Sequence, residues 1–105
     1  MSKKLTNLIP LFEALSDENR LKIIAHVKKR ALKCALDKNG ECKDQTCIKD
    51  IEKKLDISLP TVSYHVKELV NAGLLTTKKK GRWSYLQINP KCFKEVMEFL
   101  TIFSS

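Results

Sequence analysis

The sequence predicts a mainly α-helical domain with one β-hairpin near its C-terminal end. Three observations lead there. Before Gly73, apolar residues recur at helical spacing, interrupted only around residues 33–47. After Gly73 the period becomes strand-like across LLTTKKK and WSYLQIN, which flank Gly81-Arg82 as a tight turn. Asn89-Pro90 then opens a final helical stretch rich in phenylalanine. The 105 residues are of single-domain size, so 1–105 is read as one domain with a loop insertion at about 33–47.

Composition narrows the function classes. Hydrophobic residues make up 43% and charged residues 30%, the balance of a folded chain rather than a disordered one. No apolar run approaches the ~20 residues of a spanning helix, so no membrane is expected. MSKKLTNLIP lacks the apolar core and cleavage site of a signal peptide. The expected compartment is the cytoplasm, with its thiols reduced. A secreted disulfide scaffold, a membrane protein and a multidomain enzyme are thereby excluded. Twenty Lys and Arg against twelve Asp and Glu leave a net charge of +8, which asks for an acidic partner. Nucleic acid comes first and an anionic membrane surface second. A lysine-rich surface also serves solubility, so position has to decide.

Residues 5–15 read as a short helix, apolar at Leu5, Leu8, Ile9, Leu11, Phe12 and Leu15, with Pro10 a point of kinking or restart. That is more than one stripe and predicts burial on two sides. Ser16 before Asp17 and Glu18 is an N-cap signal for a helix from Asp17 to about Leu32. Its inward stripe is read as Leu21, Ile24, Ala25, Lys28 and Leu32. Residues 48–56 form another short helix, with Ile48, Ile51 and Leu55 inward. Ser58 caps the next, Pro60 sits in its first turn, and Gly73 stops it.

Helix, short turn, helix and hairpin in that order make a winged helix-turn-helix, whose second helix is built to lie in a DNA major groove. In that helix Val62, Val66, Leu69 and Val70 share one side, while Thr61, Tyr64, Lys67, Glu68 and Asn71 share the other. Ser63 and His65 fall at the edges. Hydroxyls, an imidazole and a lysine suit phosphates and base edges, so Ser58, Leu59, Thr61, Ser63, Tyr64, His65 and Lys67 are candidate DNA contacts. An ordinary solvated face reads the same way in isolation. The hairpin tip shifts the balance. Lys78, Lys79, Lys80 and Arg82 cluster there, and Ser58–Lys91 holds six basic residues against one acid, Glu68. Phosphates account for such a cluster. Protection of an edge strand is the competing account of the lysines.

LFEALSDENRLKIIAHV and ISLPTVSYHVKELVNAGLLTTKKKGRWSYLQIN resemble the opening signature, recognition helix and wing of the ArsR/SmtB family of repressors. The likeness covers roughly residues 8–30 and 47–103. It implies a homodimeric operator binder released by an effector, dimerised through its first and last helices. The residues expected there are Leu8 and Phe12 in the first, and Phe93, Val96, Phe99, Leu100 and Phe103 in the last. The phenylalanines independently exceed what one small core hides, although completing that core is the alternative. Where the family often carries Gln, this chain has Leu59, which offers only an apolar contact such as a thymine methyl.

Arsenic-sensing members carry a Cys-x-Cys pair before the recognition helix. Cys47 matches the first cysteine, and Lys49 stands at the second. About fourteen extra residues ahead of it bring Cys34 and Cys42. Cys34, Cys42 and Cys47 are therefore a candidate thiolate site for a soft ion such as As(III), Cd or Pb. Their spacing matches no zinc knuckle, and no metal is expected to be required for folding. Lys33, Lys38 and Lys43 beside Cys34 and Cys42 favour thiolate, which also suits redox sensing, with a Cys42–Cys47 disulfide as the switch. Spare thiols in a variable loop are the third reading. His26 is read as a packing or surface residue, and Cys92 as a packing residue, with an inter-subunit ligand as its alternative role. The function expected is a sequence-specific repressor released by a thiol-directed effector. A redox-responsive or effector-independent regulator is the alternative, and a protein-interaction module the other class. No Ser-His-Asp set, phosphate loop or His-rich site points to an enzyme.

Overall fold

The computed structural model describes residues 2–35, 46–80 and 83–104. Among these residues five helices and three strands run in the order α1 (Ser2–Leu15), α2 (Glu18–Ala35), β1 (Thr46–Cys47), α3 (Ile48–Leu55), α4 (Leu59–Asn71), β2 (Leu75–Lys80), β3 (Trp83–Ile88) and α5 (Pro90–Thr101). The strands form one antiparallel sheet in the order β1-β3-β2. The hairpin pairs Leu75 with Ile88 at its base and Lys80 with Trp83 at its end. The remaining loop-insertion residues, 36–45, lie outside the described residues.

β1 is not legible in the sequence, because two residues carry no alternation. It pairs Thr46 with Leu86 and Cys47 with Tyr85. β3 thereby becomes the central strand, β2 stays at an edge, and the start of α3 is tied to the hairpin.

The core is assembled from Ile23 of α2, Ile51 of α3, Val62 and Leu69 of α4, Leu74 and Leu75 beyond it, and Leu86 of β3, all fully buried. Each such side chain contributes about 1.5–3 kcal/mol relative to exposure. α2 buries a different face from the one expected. Ile23 and Val27 point inward, while Leu21, Ala25 and Lys28 are exposed. α2 is apolar on both sides, and packing against α4 and β3 selects the Ile23–Val27 side. α1 runs unbroken through Pro10, whose ring sits on the exposed side.

Gly73 ends α4 with φ of 89°, a left-handed conformation. Its N–H donates to the Val70 carbonyl and that of Leu74 to Leu69, both at 3.0 Å, which is a Schellman closure. Asn89 stands at the N-cap of α5, but its side-chain amide donates to the Gly73 carbonyl at 2.7 Å instead of capping the helix. A Cβ at residue 73 would lie 3.1 Å from Cys92 Sγ. Gly73→Ala is expected to cost about 1–2 kcal/mol and lower the melting midpoint by about 4–16 °C, read at fixed protein concentration.

Candidate nucleic-acid interface

α3 and α4 are joined by a turn of three residues, 56–58. Asp56 adopts the left-handed region with φ of 53°, which a short polar side chain tolerates better than most. Its N–H donates to the Glu52 carbonyl at 3.1 Å, closing α3. Ser58 occupies the N-cap position of α4, and its carbonyl accepts the Val62 N–H at 3.0 Å. Its hydroxyl does not cap the helix as expected. It pairs with the Thr61 hydroxyl at 2.8 Å.

With Val62, Val66 and Leu69 inward, the opposite side of α4 is free. Ser58, Leu59, Thr61, Ser63, Tyr64 and Lys67 are all exposed, Tyr64 to 55%. The helix leads through the Schellman turn straight into β2, where Lys78 and Lys79 are exposed. Lys80 ends that strand, and Arg82 lies outside the described residues.

His65 departs from its expected role as a DNA contact. It is 7% exposed, and its Nδ1 accepts a hydrogen bond from Arg20 Nε at 3.1 Å. A ring nitrogen that accepts a hydrogen bond carries no proton, so this contact places the ring N–H on Nε2. Position 65 is at the edge of the apolar stripe, and the N-terminal turn of α2 covers it.

That turn is organised by Asp17, not by Ser16. Asp17 Oδ1 accepts the N–H of Asn19 at 2.8 Å and of Arg20 at 3.2 Å, capping α2. Ser16 Oγ instead donates to the Glu13 carbonyl at 2.7 Å, closing α1. The Arg20 N–H holds the Asp17 carboxyl below its ordinary 3.8, and the Asn19 N–H and the Arg20 charge add to this against the opposing effect of burial. A carboxyl whose folded pKa is lowered stabilises the fold above its unfolded pKa, and that contribution is lost as pH falls through the folded value. Asp17→Ala is therefore expected to melt below wild type at pH 7, with the gap closing below about pH 4. A gap that persists in acid would assign the loss to something other than the ionised cap.

The residues expected at a dimer interface divide into two groups. Leu8 and Val96, each 6% exposed, belong to the subunit's own core and are unavailable to a partner. Each sits on the inward stripe of its helix. Phe93 and Phe99 are half-buried against that core. Phe12, Leu100 and Phe103 are exposed, and Leu5, Ile9, Met97 and Ile102 join them. Phe12 meets Phe99 edge-on with ring centroids 6.0 Å apart, and Phe99 meets Phe103 at 5.3 Å. α1 and α5 thus share a continuous apolar face.

Cys47 stands at the N-cap of α3, half-buried, with its N–H donated to Asp50 Oδ2 at 3.3 Å. Cys34 stands in the last turn of α2, and Cys42 lies outside the described residues. Among the described residues no three His, Cys, Asp or Glu side chains are placed to hold a metal ion. Cys92 is half-buried beside Asn89, and burial pushes its thiol up, with Glu95 adding to the effect. His26 is also half-buried, and burial followed by the Arg30 and Lys54 charges lowers its pKa.

A recognition helix with a free polar face, followed by a lysine-bearing hairpin, defines the winged helix-turn-helix class. Residues 42–77 match the family described as "Bacterial regulatory protein, arsR family". The chain belongs to the ArsR family of transcriptional regulators. It is 34% identical over 86 residues to the uncharacterized HTH-type transcriptional regulator YceK of Bacillus subtilis, covering 80% of this chain and 72% of that one. It is 32% identical over 78 residues to the arsenical resistance operon repressor of the same organism, covering 74% of this chain. The matched region spans only 62% of that repressor's length. The homodimeric winged helix-turn-helix domain of a possible ArsR-family regulator from Mycobacterium bovis shares the fold, with a TM-score of 0.69 at 15% identity over 98% of this chain and 82% of that one. No helix among the described residues is long and apolar enough to cross a membrane.

Proposed function

We propose that this chain is a homodimeric cytoplasmic repressor that holds operator DNA through α4 and the wing and leaves it when a thiol-directed effector binds. The observation that carries this is the free face of α4, running without a linker into an exposed pair of wing lysines. Thr61, Ser63, Tyr64 and Lys67 are set to read bases and phosphates, and Leu59 to meet a thymine methyl. Ser58, Lys78, Lys79, Lys80 and Arg82 take the backbone. The exposed α1–α5 face supplies the dimer contact, as the homodimeric state of the Mycobacterium bovis domain supports. Two recognition helices about one helical turn, ~34 Å, apart would enter successive major grooves.

The effector is a soft ion of the arsenite class, held by Cys47 with Cys34 and Cys42. The arsenical resistance repressor of Bacillus subtilis and the preference of such ions for thiolates support it. Lys49 removes the family's second cysteine, so the pair beside α3 is incomplete and the extra cysteines have to replace it. Release follows from linkage: the ion binds the DNA-incompetent form more tightly.

The test is a titration of reduced protein onto a duplex selected from a random library, with arsenite, cadmium or peroxide added in turn. Arsenite or cadmium should release wild type and leave Cys42→Ser/Cys47→Ser bound. Release by peroxide alone would replace the metalloid with a disulfide switch. No response in either protein would remove the thiols from the mechanism, and failure to select any duplex would remove DNA.

A further inference from the structure

Arg20 lies in the stretch LFEALSDENRLKIIAHV, where the sequence assigns it no role, yet it joins three helices. Nε donates to His65 Nδ1 of α4 at 3.1 Å. Nη1 lies 3.5 Å from the Glu13 carbonyl in the last turn of α1. Cζ sits 5.8 Å from the ring centroid of Tyr64, whose ring meets His65 edge-on at 5.2 Å. Its main-chain N–H is held as well, by the Asp17 cap at 3.2 Å. Guanidinium, imidazole and phenol ring therefore link the α1–α2 corner to the one aromatic side chain on the free face of α4.

We propose that Arg20 is a positioning residue of the DNA interface, which through His65 and Tyr64 sets the rotation and pitch at which α4 meets a duplex. This rests on the DNA-binding reading above. α4 is anchored to the core by Val62, Val66 and Leu69, so the helix stays folded without Arg20. An apolar stripe resists separation but only weakly resists rotation about the helix axis. A hydrogen bond between a planar guanidinium and a ring nitrogen is directional and resists rotation directly. The same link begins one residue from Phe12, on the exposed apolar face of α1.

The experiment compares wild type with Arg20→Gln, Arg20→Lys, His65→Leu and Arg20→Gln/His65→Leu. Each is titrated with a selected duplex and with an unrelated one over a salt series, and its folding is checked by melting. Arg20→Gln is expected to weaken the selected duplex about 10-fold or more, with Arg20→Lys intermediate and the double variant no worse than the worse single one. Binding to the unrelated duplex and the salt slope should stay at wild-type values. An equal loss on both duplexes, with the slope reduced by about 0.9, would make Arg20 a phosphate contact and overturn the proposal. Unchanged selectivity would overturn it too. The wild-type imidazole provides a check that needs no variant. Its nitrogen chemical shifts at neutral pH should show the Nε2–H tautomer, and a proton on Nδ1 would refute the link. Failure of wild type to select any duplex would instead overturn the DNA-binding reading itself.

Discussion

Leu100→Glu/Phe103→Glu is expected to sediment as a monomer and to lose about 10²–10⁴-fold in operator affinity, because each half-site is then bound without the effective concentration supplied by its partner. Both side chains are exposed, Leu100 to 50% and Phe103 to 71%, so the substitutions remove little from the subunit's own core. They place two carboxylates beside a face that also carries the exposed Leu5, Ile9 and Phe12 of α1. Burying those charges against a second copy of the same face costs several kcal/mol per ion. Phe99→Glu is the less informative variant. Phe99 packs against the core as well as against Phe12 and Phe103, so its loss mixes unfolding with dissociation. Sedimentation and circular dichroism together separate the cases. A folded variant that remains dimeric would move the interface away from α1 and α5.

Lys78→Ala/Lys79→Ala is expected to weaken every DNA sequence alike and to lower the salt slope by about 1.8 per wing, at about 0.9 for each phosphate left unneutralised. The affinity ratio between the selected and an unrelated duplex should hold, since neither lysine is placed to read bases. A different outcome has physical content too. β2 is the edge of the three-stranded sheet, and Lys78 and Lys79 are exposed on it. If the variant binds DNA as wild type does but aggregates on concentration, the lysines are protecting an edge strand. The two accounts are separable because only the first changes the salt dependence.

Much of the fold was legible because it depends on local chemistry. The strand period after Gly73 and the Pro90 start of α5 each act within a few residues. Gly73 was readable as a helix stop because only glycine enters the left-handed region at little cost. The split of α4 into Val62, Val66 and Leu69 inward and Thr61, Tyr64 and Lys67 outward was readable because its two faces differ in polarity. The exposure of the candidate contacts on that face follows from the sequence, with one exception.

That exception, His65, shows where local reasoning stops. An edge position on a helix is assigned inside or outside by the neighbouring element, and here the N-terminal turn of α2 takes it. The cap of α2 was ambiguous for a related reason. Ser16 and Asp17 are both good caps, and the closure of α1 at the Glu13 carbonyl claims the serine. α2 and α1 each carry apolar residues on more than one side, so periodicity alone leaves their burial undecided. Packing against α4 and β3 turned Ile23 and Val27 inward and left Leu21 out. Packing of α1 and α5 on each other took Leu8 and Val96 into the subunit's core and left Phe12, Leu100 and Phe103 on the surface. Residue type and spacing therefore settled which helices and strands form, since those depend on neighbours in the chain. Which of two apolar faces is buried, and which polar residue is covered, depended on contacts between residues as far apart as Arg20 and His65, and no local pattern encodes those.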